Sequence, residues 1–419
     1  MCGIAGELRL DGSSPDPATL ARMNARLARR GPDAEGTYFD GPLGLGHRRL
    51  AIIDLSPRSA QPMVDPARQL ALVFNGTLYN YPQLRAELIG KGHHFHSDGD
   101  TEVLLRAYAE WGETCVERLH GMFAFAIWDG RARTLFLARD RLGIKPLYFS
   151  RAAGAFRFAS STQALLAAGA VDTRIDPVAL HYQFTLHASV PAPHTLLNGI
   201  RKLAPATTMT VHEDGHVTER RYWQLAARRP ERALSETEWR EAIHDALRAA
   251  VEKRLSIADV KVGVLLSGGL DSSLLVALLA EQGVGDLMTF SVGFEDQPEE
   301  RGHEFEYSDA VAEYYGTRHH QYSIPNSQVL ARLPEAVDAM AEPMVGQDAV
   351  AFYLLAERVA REIKVVQSGQ GADEVFGGYF WYPRMLAETA GTPLERFRRH
   401  YFDRDDDELQ RMLGPAYRG

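Results

Sequence analysis

Residues 262–273 read Val262-Gly263-Val264-Leu265-Leu266-Ser267-Gly268-Gly269-Leu270-Asp271-Ser272-Ser273. Val262 to Leu266 is β-branched and apolar, the pattern of a buried strand, and Leu270 to Ala280 is a helix closed by Gly283. The loop between them carries Ser267 and two glycines, and the helix start adds the hydroxyls of Ser272 and Ser273. Glycines let the backbone approach a ligand closely, and a helix N-terminus offers free N–H groups and a positive dipole end. Such a loop can surround a pyrophosphate, with Asp271 placed to hold a Mg²⁺ that bridges phosphates. It is not the Walker loop, because no GxxxxGK[ST] occurs.

Downstream, the order remains strand, helix, strand. Leu287 to Val292 is a strand, Tyr307 to Tyr315 a helix, and His320 to Ile324 and Ile363 to Gln367 are strands. That alternation predicts a parallel α/β sheet. Upstream, Ser235-Glu236-Thr237-Glu238 is a capping box opening a helix to about Leu255. Ala226 to Leu234, basic and with Pro230, reads as a linker.

The first half has a different texture. Ile4 to Leu10 is a strand ending at Asp11-Gly12, and Leu70 to Phe74 one ending at Asn75-Gly76. Phe123 to Trp128 and Thr134 to Ala138 form a hairpin across Asp129-Gly130. Tyr81 to Lys91 and Thr101 to Trp111 are helices, the second with Val103, Leu104, Ala107 and Tyr108 on one face. This is an α+β pattern. Two domains are expected, 1–215 and 235–419.

The 419 residues suit two or three domains. The net charge of -9 excludes a general role on nucleic acid or anionic membrane, which needs the opposite sign. Two cysteines, Cys2 and Cys115, exclude a disulfide scaffold and suit a reducing compartment. No run approaches the ~18 apolar residues of a membrane span. The N-terminus lacks the form of a signal peptide. The expected location is cytoplasmic.

Cys2 follows the initiator Met. With Met1 removed, one residue would hold both a thiol nucleophile and a free α-amine able to serve as general base near neutral pH. A thiol attacking an amide needs donors for the oxyanion. Asn75-Gly76 offers a side-chain amide and a backbone N–H, although Asn-Gly is also an ordinary turn. Arg48 and Arg49, before an expected strand Leu50 to Ile53, could pair with an amino-acid carboxylate. Asp100 could hold its ammonium group. Singly, each is also an ordinary surface charge.

Together the motifs carry a resemblance. MCGIAGE, RGPD (Arg30 to Asp33), GHRRLAIIDL (Gly46 to Leu55), FNGTLYN (Phe74 to Asn80), GDTEVLL (Gly99 to Leu105), GMFAFAIWD (Gly121 to Asp129) and RDRLGIKPLY (Arg139 to Tyr148) follow one another in the order of a class II glutamine amidotransferase domain. The resemblance implies an N-terminal-nucleophile hydrolase fold, an αββα sandwich. It implies Cys2 as nucleophile with its own amine as base, and Asn75 and Gly76 as the oxyanion hole. Glutamine would be bound by Arg49, Ile52, Asn75, Gly76, Thr77 and Asp100. Thr77 departs from the family's usual Asn-Gly-Glu, which would throw more of the amine binding onto Asp100.

The loop Ser267 to Ser273 resembles the pyrophosphate loop of ATP pyrophosphatases, in an α/β parallel-sheet domain. With Ser291-Val292-Gly293, SGQGADEVFGGY (Ser368 to Tyr379) and the first domain, the chain resembles the asparagine synthetase family. The resemblance implies ATP and Mg²⁺. ATP would be bound by Leu266, Ser267, Gly268, Gly269, Asp271, Ser272, Val292, Ser368 and Gly369, and Asp271 and Asp373 would be the metal or pyrophosphate ligands. It implies glutamine, ATP and a carboxylate acceptor as partners, a dry passage for ammonia between the domains, and a homodimer as the assembly to test. No nucleic-acid or membrane partner is expected. ATP would adenylylate the carboxylate, and ammonia released at Cys2 would displace AMP to give an amide.

Asparagine synthetases usually carry Ser-Gly-Glu-Gly where this chain has Ser368-Gly369-Gln370-Gly371. Gln370 is neutral and cannot act as a base, which counts against aspartate as acceptor. VVQSGQGADEVFGGYFWYP (Val365 to Pro383), EFEYSD (Glu304 to Asp309) and MCGIAGELR resemble the N-acetylglutaminylglutamine amide synthetases. The alternatives are aspartate amidation and a glutaminase-only fragment. The latter is considered because family chains continue through an Ala-Arg-Val-Pro-Phe-like segment and a lysine near the adenylate, neither found before Gly419. The synthetase half is therefore expected to be truncated at its C-terminus. Amidotransferases that aminate sugars or phosphoribosyl groups lack SGGLDSS.

Weaker signals remain. His93-His94-Phe95-His96-Ser97-Asp98 resembles a metal cluster but reads better as a polar strand, and His319-His320 is similar. Cys115 reads as core. Glu342-Pro343 and Asp348 border either an acceptor site or a helix start. Trp381 and Tyr382 either line that pocket or pack. The acidic tail around Asp403 to Glu408 is expected to pack poorly.

Overall fold

The computed structural model describes residues 1–296, 302–344 and 348–417. They divide into two compact units. Unit 1 comprises Met1–Gln183, Ser189–Ala227 and Met340–Pro343, and unit 2 comprises Phe184–Ala188, Arg228–Ala339 and Met344–Gly419.

Unit 1 is built on twelve strands: β1 (Gly3–Arg9), β2 (Ala34–Asp40), β3 (Leu43–Arg49), β4 (Met63–Asp65), β5 (Leu70–Leu78), β6 (Gly121–Asp129), β7 (Thr134–Arg139), β8 (Tyr148–Ala152), β9 (Ala155–Ala159), β10 (Arg201–Lys202), β11 (Thr207–His212) and β12 (Val217–Arg221). They form two six-stranded sheets, ordered β10-β8-β9-β1-β3-β2 and β12-β11-β7-β6-β5-β4, with antiparallel pairing. Alternation along β5 and β6 explains the layering. Leu70, Leu72 and Phe74 point with Phe123, Phe125 and Ile127 into a core shared with the helices Tyr81–Gly90 and Asp100–Trp111. Ala71 and Val73 point with Ala124, Ala126 and Trp128 the other way, onto Ile4, Leu8, Leu43 and Leu45 of the facing sheet. A third core joins Ala5 and Ala159 of that sheet to the helices Pro17–Arg26 and Thr162–Ala168. Helix, sheet, sheet, helix is the αββα order. Cys115 is fully buried in the first core, as its sequence context suggested.

Three local expectations fail here. β5 does not end at Asn75-Gly76. It continues to Leu78, with Asn75 opposite Ala124 and Gly76 opposite Phe123, because β6 supplies partners along its whole length. Leu50 to Ile53 is not a strand. β3 ends at Arg49, and side chains then take the next amides: Leu50 N–H points at Cys2 Sγ (3.4 Å) and Ala51 N–H donates to Asp33 (2.8 Å). His93 to Asp98 is not a strand either. The Glu102 carboxylate draws in the amides of His96 (2.9 Å) and Ser97 (2.7 Å) and folds the segment as a loop.

Unit 2 carries β13 (Val262–Leu265), β14 (Met288–Phe294), β15 (Arg318–Ile324) and β16 (Val365–Gln367), all parallel in the order β15-β14-β13-β16. The helix Glu236–Leu255 starts at the expected capping box, with Ser235 and Glu238 bonding reciprocally. One sheet face packs Val264 and Leu266 against Val276 and Leu279, and the other packs Met288 and Phe290 against Leu355 and Val359. Burial on both faces is why β13 is continuously apolar, whereas the edge strand β15, Arg318–Ile324, is largely polar. The acidic tail packs, contrary to expectation. Asp405 caps the helix Asp406–Met412, whose Leu409 is buried, and the Asp403 backbone N–H donates to Thr185. Trp381 is a packing residue, stacked on Tyr379 (centroids 4.1 Å apart) and His187 (5.7 Å). Among the described residues, no helix is long and apolar enough to cross a membrane.

Candidate functional sites

In unit 1, Cys2 leads directly into β1, and β5 packs against both β1 and β3. The Cys2 thiol lies between the Leu50 amide (3.4 Å) and the Leu50 carbonyl (3.7 Å), and desolvation pushes its pKa up. Arg30 Nε donates to the Cys2 carbonyl (3.1 Å). The terminal amine, here on Met1, is pulled down to about 5, chiefly by desolvation.

Asn75 sits one residue past a carefully held peptide. Gln61 accepts from Phe74 N–H (2.6 Å) and donates to Phe74 O (3.2 Å), which also faces His47 Nε2 (3.2 Å). Burial keeps His47 neutral, with its pKa near 3. The Asn75 side chain that follows is buried, and neither atom of its amide has a hydrogen-bond partner. A buried unpaired amide costs about 1–3 kcal/mol, and this one keeps both its donor and its acceptor free for a ligand.

Arg49 ends β3 with its guanidinium bonded to two carbonyls, Ser56 O (2.9 Å) and Asp54 O. Among the described residues it has no ion pair, leaving its charge for a carboxylate. Asp54, which sequence reasoning missed, organises this rim. Its carboxylate accepts from Ser56 Oγ (2.6 Å), Ser59 Oγ (2.7 Å) and Asp98 N–H (2.9 Å), tying the 50–60 loop to the turn before Asp100. Asp100 is buried at the start of its helix, accepts from Leu78 N–H (3.0 Å), and is raised to about 7 by burial. Ile52 is half-buried in the 50–60 loop, and Thr77 is buried beside Gly76.

The second site lies beyond the carboxyl ends of β13, β14 and β16, where β13 has its neighbours on opposite sides, the switch-point position for ligands in open parallel sheets. A cavity of about 330 Å³ there is lined by Leu266, Ser267, Gly269, Asp271, Ser272, Val292, Ser368, Gly369, Gln370 and Asp373. Gly268 is not among the lining residues, but it shapes the loop. Its φ is +89°, and a Cβ there would fall 2.4 Å from Tyr307 Cβ. A Cβ on Gly369 would lie 2.9 Å from Asp271 Cβ, so the two loops abut. Ser267 Oγ and Ser272 Oγ are 3.0 Å apart, and Gly269 N–H donates to Ser267 Oγ (3.2 Å). Ser291 Oγ donates to the Leu266 carbonyl, bracing β14 against the loop.

No group of three or more His, Cys, Asp or Glu poised for a metal occurs among the described residues. Among the described residues, Asp271 and Asp373 alone face the cavity as carboxylates. Two carboxylates plus substrate phosphates is the usual donor set for Mg²⁺, so the residues fit that ion. His319 is engaged with Thr289 Oγ1 (2.8 Å) and His93 with Glu110 (3.0 Å). Glu342, left open by the sequence, bonds Lys202 and Tyr148 within unit 1 rather than facing the second cavity.

An amidotransferase-type αββα domain followed by a parallel-sheet domain of the ATP-pyrophosphatase type is the class that fold and sites define. The glutamine amidotransferase domain family matches residues 1–223, and the asparagine synthase family matches residues 242–414. Asparagine synthetase [glutamine-hydrolyzing] 3 of Bacillus subtilis is 33% identical over 430 residues, covering 99% of this chain and 69% of that protein. Asparagine synthetase [glutamine-hydrolyzing] 1 of the same organism is 35% identical, covering 94% and 61% respectively. A putative asparagine synthetase [glutamine-hydrolyzing] of Mycobacterium bovis is 36% identical, covering 92% and 62%. The chain belongs to the glutamine-hydrolysing asparagine synthetase family, a family of glutamine-dependent carbon–nitrogen ligases. It spans between 61% and 69% of the length of these relatives.

Proposed function

We propose that the chain releases ammonia from glutamine at Cys2 and uses it in ATP-dependent amidation of a carboxylate. The observation that carries this reading is the cavity at the ends of β13, β14 and β16, where the Ser267–Ser273 and Ser368–Asp373 loops converge. Its hydroxyls, amides and paired carboxylates match the charge of a magnesium pyrophosphate, and Leu266, Phe290 and Val292 offer an apolar wall to a base. Bound Mg²⁺, held by Asp271 and Asp373, would neutralise phosphate charge. The Asn75 amide, buried without partners, supports the glutaminase half.

In unit 1, Arg49 takes the glutamine carboxylate and Asp100 its ammonium group. With Met1 removed, the Cys2 amine accepts the thiol proton and the sulfur attacks the carboxamide carbon. Asn75 and the Gly76 N–H hold the oxyanion. As the C–N bond breaks, the proton passes to the departing ammonia, and water clears the glutamyl thioester as glutamate. In unit 2, the acceptor carboxylate attacks the α-phosphorus of ATP and pyrophosphate leaves. Ammonia then attacks the acyl-adenylate, forming the amide bond and releasing AMP.

Acetylglutaminylglutamine is the favoured acceptor, supported by the neutral Gln370 lining the cavity and by the resemblance of residues 365–383. Aspartate is the alternative. Pyrophosphate release from ATP and Mg²⁺, with glutamine and single acceptors, tests the reading. Release that depends on one acceptor names the substrate. No release with any acceptor, alongside glutamate formation that Cys2→Ala abolishes, reduces the activity of this chain to a glutaminase.

A further inference from the structure

The histidine-rich segment His93 to His96, used by neither site, borders a cavity of its own within unit 1. The cavity, of about 540 Å³, lies between that loop, β4 with the turn after it, and the helix Asp100–Trp111. Cys2, Arg49, Asn75 and Asp100 do not line it, and among the described residues it shares none with the cavity of unit 2. Its volume falls in the range of roughly 300–1,000 Å³ that small-molecule sites occupy.

The wall is cationic. Arg58, Arg68 and Arg106 line it with His93, His94 and His96, against the two carboxylates of Asp65 and Glu102. Both carboxylates are engaged. Asp65 is bonded by Arg106 and by Arg68 (3.0 Å), and Glu102 by Arg106 (3.1 Å) and by the amides of His96 and Ser97. Three guanidiniums facing two carboxylates leave an excess of positive charge. Arg58 meets Asp98 (2.9 Å), which is not part of the wall, and both of those side chains are more than half exposed, so the pair is weak. Two buried polar atoms of wall residues, Arg106 Nε and His93 Nδ1, have no hydrogen-bond partner. Met63, Val64 and Leu105 add an apolar side.

We infer that this cavity binds a small organic phosphate, its phosphate held by Arg58, Arg68 and the exposed His94 and His96, and its body lying on Met63, Val64 and Leu105. Guanidinium forks pair bidentately with phosphate oxygens, and the volume leaves room for an organic body beside the phosphate. Occupancy is felt at the glutamine rim. Arg58 sits in the turn Pro57–Ser59, directly after Ser56, whose carbonyl holds Arg49 (2.9 Å). Its partner Asp98 donates its N–H to Asp54 (2.9 Å), which also accepts from Ser59 Oγ (2.7 Å). A phosphate that draws Arg58 away from Asp98 therefore moves the loop that carries the acceptors of Arg49. This coupling rests on Arg49 being the residue that takes the glutamine carboxylate.

Titration calorimetry of the full chain with inorganic phosphate, pyrophosphate and AMP tests the site. AMP should bind more tightly than inorganic phosphate, because it alone reaches the apolar side. The double variant Arg68→Ala/His96→Ala should weaken AMP binding about tenfold or more, whereas Asp271→Ala, in the other cavity, should leave this binding event in place. No binding of any of the three, or binding that the double variant leaves unchanged, overturns the site. Should the double variant not fold, His96→Ala alone, with a side chain 79% exposed, should still weaken AMP about threefold, and no change overturns the site. Saturating AMP should shift KM for glutamine about threefold or more in the wild type and not in the double variant. An unchanged KM overturns the coupling to Arg49. Absence of glutamate formation in the wild type would instead remove the glutaminase reading, and the calorimetry would still decide the site.

Discussion

Replacing Gly268 by alanine tests the loop proposed to bind ATP. At φ +89°, an L-residue costs about 1–2 kcal/mol. The new Cβ would also lie 2.4 Å from Tyr307 Cβ and 2.6 Å from Ser308 N, both in the first turn of the helix Phe305–Tyr315. Ser308 is fully buried and cannot retreat, so overpacking adds about 1–3 kcal/mol. The sum is about 2–5 kcal/mol. If the loop bears the strain, the loss appears as stability. If it escapes by moving away from Tyr307, the hydroxyls of Ser267 and Ser272 lose their arrangement and the loss appears as ATP affinity, about 30-fold to a few thousand-fold. Chemical denaturation and calorimetric titration with MgATP read both outcomes. Gly269→Ala is the control for stability: its φ is -70°, and its Cβ would meet only Ser267 Oγ at 3.4 Å. A Gly268→Ala protein with wild-type stability and ATP affinity within threefold of wild type would refute the account of this loop.

Three other outcomes are expected. The folded Asp100 carboxyl titrates near 7, against about 3.9 in an unfolded chain, so between those values the native state holds a proton that the unfolded state has lost and stability falls as pH rises. Asp100→Asn should therefore gain stability over the wild type between pH 5 and pH 8, while weakening glutamine binding; an equal difference at both pH values in urea titrations would show that the burial argument fails. Asn75→Ala should lower kcat for glutamine hydrolysis by about 10²–10³ with stability unchanged or raised, since the lost amide has no partner, and steady-state glutamate release beside a melting curve checks both. Arg157→Ala should cost about 3 kcal/mol in equilibrium unfolding, because it leaves the buried Glu7 carboxylate, 2.6 Å from Arg157 Nε, with only the distant Arg9 guanidinium at 4.0 Å; a loss below about 1 kcal/mol would contradict that.

Much of unit 2 was legible in the chain. The capping box at Ser235, the apolar strand before Ser267 and the glycine pair behind it are local signals, set by residues within one or two turns of each other. The αββα layering of unit 1 followed the motif resemblance, and the period-two alternation in β5 and β6 shows why those strands are apolar on both faces. Where local chemistry was the only guide, it misled. Asn75-Gly76 is a strong turn signal, yet β6 offers partners past it and the strand continues. Leu50 to Ile53 has strand composition, but the Cys2 thiol and the Asp33 carboxylate take its first amides.

The sequence by itself determined which chemical groups are present and in what order: a cysteine next to the initiator methionine, an Arg and an Asp that suit an amino acid's two ends, and a hydroxyl-rich loop between strand and helix. Only the tertiary structure decided their environments. Asp54 looks like a turn residue until its carboxylate joins two distant loops. The Asn75 amide is a buried group without a partner only because of the layers packed around it. Pairing and turn formation act over a few residues and can be read along the chain. Desolvation and long-range charge depend on what packs around a group, and that is set by residues tens to hundreds of positions away.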